Sequence, residues 1–374
     1  MNFSDDPVYY IGLLSGTSAD GIDAVVVEFS DDQSDDAHAS IIATHSEPFD
    51  QDLRAEILEL YEPGDNEIER LGIVDRQIGD AFAQATQVLL AKAQLKPDQI
   101  EAIGCHGQTV RHRPPSAQKE AFTLQLGDAN IIAERTGIDV ICDFRRRDMA
   151  VGGEGAPLAP AFHQHVFASE AHLRYVVNIG GISNISILKP HTNCVGFDVG
   201  PGNGLMDFWT QKNLGSSCDV GGDWARKGAV IEPLLNAWLT HPYFKQPPPK
   251  SSGKEMFSRE WLLNSLAGRE DRPEDIQRTL LELTARTITD NINYDGAEVY
   301  IAGGGAFNAF LMERLSEISS SKISTTAELG IDPAWVEGAL FAWLAKRFLE
   351  GLPGNLPSVT GARQERILGA FYPR

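Results

Sequence analysis

The chain has 374 residues, 42 % hydrophobic and 8 % aromatic, enough to bury a large core and long enough to favour two domains over one. Its formal net charge of −20 argues against general binding to nucleic acid or to an anionic membrane, because phosphate contact needs clustered lysine and arginine; an anionic ligand therefore needs a local site. The opening MNFSDDPVYYIG lacks a basic stretch followed by an apolar one, and no apolar run reaches the roughly 18 residues of a membrane span, so a cytoplasmic protein is expected. Cys105, Cys142, Cys194 and Cys218 are too irregularly spaced for a zinc knuckle or a disulfide scaffold and read as reduced thiols.

Residues 9–29, YYIGLLSGTSADGIDAVVVEF, are an apolar run, a turn rich in glycine and small hydroxyls, and a second apolar run. The first run reads as a strand buried on both faces. In the turn, Gly16 and Gly21 permit close backbone approach while Thr17 and Ser18 add hydroxyl donors, which suits an anion cradle. The plain alternative is a β-hairpin whose turn binds nothing. Residues 30–39 form an acidic loop, and a third strand is expected near 41–45. From 51 to 93 apolar residues recur at helical spacing, with Pro63 and Gly64 dividing two helices.

A short buried strand at 100–105 runs into His106, Gly107, Gln108 and Thr109, read as a ligand loop because α/β sheets place ligand contacts at strand ends. A structural histidine is the alternative for His106. Residues 124–136 read as a loop entering a helix, and a strand at 138–142 ends in DFRRRD, the one dense cation cluster in the chain. The glycine-rich GGEGAP follows, and at least one of Arg145, Arg146 and Arg147 is expected to meet a ligand.

The opening pattern then recurs. Residues 175–188, YVVNIGGISNISIL, are again strand, glycine turn and strand, which suggests a duplicated domain whose two turns grip one polyphosphate. A strand at 195–198 ends in Asp198 beside the turn VGPGN, a placement that keeps a general base rigid yet open; a turn or capping aspartate is the alternative. A helix carrying Asp207 follows, then polar loops at 246–253 and 268–274 and a helix at 273–293. The strand at 299–302 opens into Gly303, Gly304, Gly305, Ala306, Phe307 and Asn308, where backbone could lie against an adenosine, although such turns also serve packing alone. An amphipathic helix over 335–350 carries Glu337 near its start.

Taken in order, GTSADGID, CHGQT, DFRRRD with GGEGAPLAPAFH, NIGGISN, GFDVGPGN and AGGGAFN resemble the sugar kinase, actin and Hsp70 superfamily, and within it the anhydro-N-acetylmuramic acid kinase family. The resemblance implies an α/β fold of two duplicated ribonuclease-H-like domains flanking an ATP cleft, at 1–140 and 141–350, with 351–374 packing back on the first. It implies a homodimeric, cytoplasmic enzyme of cell-wall recycling that uses ATP and Mg²⁺ on an anhydro-amino sugar. By the same resemblance Gly16, Thr17, Ser18, Ala19, Asp20, Gly21, Ile22 and Asp23, with Asn178, Gly180 and Gly181, would hold ATP. Gly303, Gly304, Gly305 and Asn308 would line the adenosine, and Asp198 would activate water. His106, Gln108, Thr109, Arg145 and Glu337 would face the sugar. Leu14 and Asn178 stand where the superfamily usually carries acidic residues, so Asp20 and Asp207 are the expected metal ligands, with Asp23 a further candidate. Glutamine is commoner in the family at the position of Glu154. Two rival expectations are a conventional hexose or amino-sugar kinase, with Asp198 deprotonating a sugar hydroxyl, and an Hsp70-like clamp, disfavoured by the short tail after Glu350.

Overall fold

In the computed structural model the described residues are 7–30, 39–248, 250, 256–294 and 296–374. Most of the acidic loop (31–38) and part of the 246–253 loop lie outside them. The chain divides into two compact units, one made of residues 1–166 and 335–374, the other of 167–334.

In the first unit β1 (Tyr9–Ser15), β2 (Gly21–Phe29) and β3 (Ala39–Pro48) form an antiparallel meander. On the other side of β1 lies β4 (Ile100–Arg113), parallel to it; β5 (Phe122–Leu126) folds back on β4, and β6 (Val140–Cys142) continues the parallel series. The second unit repeats the plan. Here β7 (Arg174–Ile179), β8 (Ile182–Leu188) and β9 (Val195–Pro201) are the meander, and β10 (Glu298–Ala302) and β11 (Lys322–Thr325) are added in parallel beside β7. The last strand, β12 (Ala370–Tyr372), pairs antiparallel with β6. Two sheets with one connectivity make this an α/β protein of duplicated ribonuclease-H-like domains.

Alternation along the strands explains how the first sheet is covered. Ile11, Leu13, Ala24, Val26, Ile103 and Cys105 share a core with Val74, Ile78 and Phe82 of the helix Glu67–Ala93. The intervening Gly12, Val25 and Gly104 face the helix Val336–Leu349 instead. A Cβ on Gly12 would sit 1.9 Å from the Gly338 carbonyl oxygen, and one on Gly104 1.9 Å from that of Phe341, so the helix lies flush on bare backbone. With both faces covered, β1 and β4 read as nearly continuous apolar runs. The second core joins Tyr175, Val177 and Phe197 to Trp209, Leu280 and Leu311 from three helices.

The unit boundaries differ from the expected 140/141 and 350. Residues 141–166 stay with the first unit because β6 pairs with β4, and residues 335–350 return to it as the helix covering β1 and β4. Helical periodicity marks that helix but carries nothing about which sheet it covers. A second difference concerns CHGQT, which is not a loop: β4 runs through it, with Gly107 at φ 75° allowing the irregularity, and pairs with β5 beyond. Among the described residues no helix is long and apolar enough to cross a membrane, and the four cysteines form no disulfide.

Candidate active site

The turn between β1 and β2 is anchored by a residue expected on the sugar. Gln108 is fully buried. Its Nε2 donates to the carbonyls of Gly16 at 3.2 Å and Thr109 at 3.2 Å and to the Tyr61 hydroxyl at 3.1 Å, while its Oε1 lies 2.6 Å from Ser15 Oγ. Nothing of the amide is left for a ligand, so Gln108 shapes the turn and does not read a sugar. Thr109 is likewise engaged, its Oγ1 accepting from Gln125 Nε2 at 3.1 Å. Asp20 pairs with Arg54 at 2.9 Å, and Asp23 accepts from Ser46 Oγ at 2.7 Å.

In the second unit the equivalent turn is held by the helix Asn203–Leu214. The amide of Asn203 donates to Gly180 O at 2.7 Å, those of Gly202 and Gly204 donate to Gly181 O, and Asn203 Nδ2 reaches Ile179 O at 3.1 Å. A Cβ on Gly202 would fall 2.2 Å from Gly180 O, so that approach needs glycine. Gly303, at φ 77°, and Gly305 lie against the end of β7, where added Cβ atoms would meet Asn178 Oδ1 and Ile179 Cγ2 at 2.3 Å each. The triple glycine therefore abuts the second turn. Asn308 caps the helix Ala309–Ile318 through Leu311 N, which commits its side-chain oxygen to the helix start.

Asp198 lies on β9 opposite Asn184. Its amide donates to Lys250 O at 3.2 Å and its carbonyl accepts from the Tyr243 hydroxyl at 2.7 Å, which fixes the backbone from two sides. Burial lowers the pKa of Lys250 while the Asp198 charge opposes the shift, placing a cation near the carboxylate. Asp207 is half-buried with no hydrogen bond to its carboxylate among the described residues, and burial, then the nearby Asp219, push it up to about 6. Among the described residues no three acidic, histidine or cysteine side chains converge as a metal site, and Asp20, expected as a ligand, faces Arg54. A protein cage for Mg²⁺ does not fit these residues.

His106, Arg145 and Glu337 do come together in the first unit. Arg145 Nε and Nη2 lie 3.0 and 2.9 Å from His106 Nε2, and Nη1 donates to Gly155 O at 2.8 Å. A guanidinium only donates, so His106 Nε2 accepts and its proton sits on Nδ1, directed at Gly107 O. Burial lowers the Arg145 pKa to about 10 against the charges of Glu337 and Asp148. The fully buried Asp148 accepts from Gly155 N, Asn355 Nδ2 and Thr360 Oγ1, tying the glycine-rich loop to the C-terminal segment. Glu154 accepts from Ser116 Oγ at 2.6 Å, bracing that loop. A cavity of about 350 Å³ beside the middle of β4 and the end of β6 is lined by Asp75, His106, Asp143, Arg146 and Tyr372 among others.

Buried histidines make acid stability a test of this arrangement. Burial, then the Arg145 charge, hold His106 far below the usual 6.5, and burial takes His163 down to about 3. The unfolded chain binds those protons near 6.5 and the folded chain refuses them, so stability is full above that value and falls as pH drops below it. Between pH 7 and pH 5 His163 should cost about 2 kcal/mol, and His106 should add to the loss in the same direction. Urea midpoints should fall accordingly; a flat profile would contradict the neutral His106.

A model of the anhydro-N-acetylmuramic acid kinase family matches residues 8–374. A relative of that name from Shewanella halifaxensis is 52 % identical over 370 residues, covering 98 % of this chain and 98 % of its own length. Those from Shewanella pealeana and Nitrosomonas europaea are 50 % and 48 % identical, each over 98 % of this chain and over 98 % and 100 % of their own.

The chain belongs to the anhydro-N-acetylmuramic acid kinase family.

It is therefore an enzyme, a phosphotransferase. Against that family reading, the structure assembles His106, Arg145 and Glu337, and separately places Asn178, Gly180, Gly181 and the triple glycine side by side. It commits Gln108 to the first turn and the side-chain oxygen of Asn308 to a helix start. Arg54, Tyr61, Asn203 and Lys250 escaped the sequence reading. Only Asn203 carried a signal, as the polar residue closing GPGN; the others touch the site across gaps of tens of residues.

Proposed function

We propose that this chain uses ATP to open the 1,6-anhydro ring of anhydro-N-acetylmuramic acid with water and to phosphorylate O6, giving N-acetylmuramic acid 6-phosphate and ADP. Asp198 takes a proton from water as the water oxygen bonds to C1. The C1–O6 bond breaks, O6 bonds to the γ-phosphorus, and the β,γ-bridging P–O bond breaks to release ADP. Because O6 is captured by phosphorus as it leaves, one carboxylate suffices where a glycosidase uses two. Supporting this most is the way Asp198 is clamped through its backbone by Lys250 and Tyr243 at the glycine turn, with a lysine cation nearby to favour the carboxylate.

The two glycine turns present backbone to phosphate, and Gly303, Gly304 and Gly305 give a flat approach for adenosine. Mg²⁺ bound with the nucleotide would supply charge neutralisation to its phosphates, and Asp207, with no protein partner on its carboxylate among the described residues, would hold it through waters. His106 and Arg145, fixed on each other, and the exposed Glu337 face the sugar. A cytoplasmic homodimer acting in peptidoglycan recycling is the setting that fits this chemistry. Product analysis after turnover in isotopically labelled water is the test: ring opening places label on the anomeric hydroxyl, whereas a conventional amino-sugar kinase places none there.

A further inference from the structure

We propose that Arg54, assisted by Tyr61, is the positioning residue that turns the backbone amides of the first glycine turn outward for the nucleotide phosphates. The inference rests on the reading that this turn carries ATP phosphates. Arg54 projects from the helix Gln51–Glu59, more than thirty residues beyond the turn. Its Nε donates to Ala19 O at 3.1 Å, and its Nη2 donates to Ser18 O at 3.3 Å and to Asp20 Oδ1 at 2.9 Å. Tyr61 donates its hydroxyl proton to Thr17 O at 2.9 Å. Tyr61 is itself held, because Arg111 Nε reaches the carbonyls of Leu60 and Tyr61 at 3.1 Å each.

In a trans peptide the C=O of one residue and the N–H of the next point in opposite directions. Drawing the Thr17 and Ala19 carbonyls toward Tyr61 and Arg54 therefore points the amides of Ser18 and Asp20 the other way. Ala19 N closes the loop on Gly16 O at 3.1 Å, and Ala19 sits at φ 52°. A left-handed alanine is disfavoured by about 1 kcal/mol, a cost that the three arginine bonds and the tyrosine bond offset. The result is two outward amides on either side of a tight turn, which is the geometry of an anion nest.

The same guanidinium answers a difficulty with Asp20. A carboxylate beside bound phosphates repels them; pairing with Arg54 neutralises it. With side-chain exposures of 43 % and 70 %, this pair adds little to stability, so its value lies in orientation and charge. Lysine keeps the charge but cannot place three bonds from one planar fork.

Calorimetric titration of the full chain with ADP and with adenosine tests the role, using Arg54→Lys and, as a variant that leaves the arginine in place, Tyr61→Phe. Arg54→Lys should lower ADP affinity about tenfold, Tyr61→Phe by about threefold, and neither should move adenosine affinity beyond about twofold, since only the phosphates meet the turn. In steady state the Arg54→Lys loss should appear in KM for ATP, with KM for the sugar unchanged. ADP affinity unchanged in both variants would overturn the inference, as would equal losses for adenosine and ADP, which mark a general structural defect. Wild-type protein that binds adenosine but gains nothing from the phosphates of ADP would remove the reading of the turn itself, and the inference with it.

Discussion

Replacing Asp198 with asparagine should lower turnover on the order of 10² or more while leaving ADP affinity and the melting temperature close to wild type. Asparagine preserves shape, and the groups that fix this position, Lys250 O and the Tyr243 hydroxyl, bind the Asp198 backbone and not its side chain. What is lost is the ability to take a proton from water. The loss should fall on turnover and not on KM, because water is activated only as the transition state forms. Rapid-quench measurement of phosphosugar formation, alongside ADP titration, separates the two quantities. Turnover near wild type would remove Asp198 from the role of base.

A second large effect is expected in a part of the molecule that does no chemistry. Gly104→Ala should destabilise the chain by about 3 kcal/mol, at the upper end of what overpacking usually costs. The added methyl would fall 1.9 Å from the Phe341 carbonyl oxygen, which cannot move without lifting the helix Val336–Leu349 from β1 and β4. That helix carries Glu337, and its Phe341 ring packs, tilted, against His106 with centroids 4.6 Å apart, so KM for the sugar should rise as well. Gly72→Ala provides the contrast. Gly72 lies inside the helix Glu67–Ala93 with open space where its Cβ would be, and alanine there should stabilise by roughly 0.5–1 kcal/mol. Chemical denaturation of both variants measures the difference; equal effects would contradict the flush packing.

The two glycine hairpins were legible in the sequence because a buried strand on each side leaves an apolar signature and the turn between is marked by glycine. Their repetition carried the duplicated fold. Legibility failed where a residue's partner lies far along the chain. Gln108 looks like a polar ligand residue at a strand end, yet β4 continues through it and buries it under the first turn. Asn308 follows the triple glycine as a ligand residue would, yet caps the helix it introduces. The domain edges shifted for a related reason: the helix Val336–Leu349, expected to be amphipathic, is buried on every side from Gly338 to Lys346, and its allegiance to the first sheet is set by Gly12 and Gly104, more than 200 residues earlier. Arg54 had no signal at all, because an arginine in an amphipathic helix reads as an ordinary solvated charge.

The central assignment, water attacking C1 while O6 passes to phosphorus, is tested most directly by mass analysis of the phosphorylated sugar formed from ATP and anhydro-N-acetylmuramic acid in ¹⁸O-labelled water. A single product is expected, carrying one labelled oxygen at the anomeric hydroxyl and none in the phosphate, with ADP released in equal amount. Phosphosugar that carries no label at the anomeric position, or that retains the anhydro bridge, would contradict it.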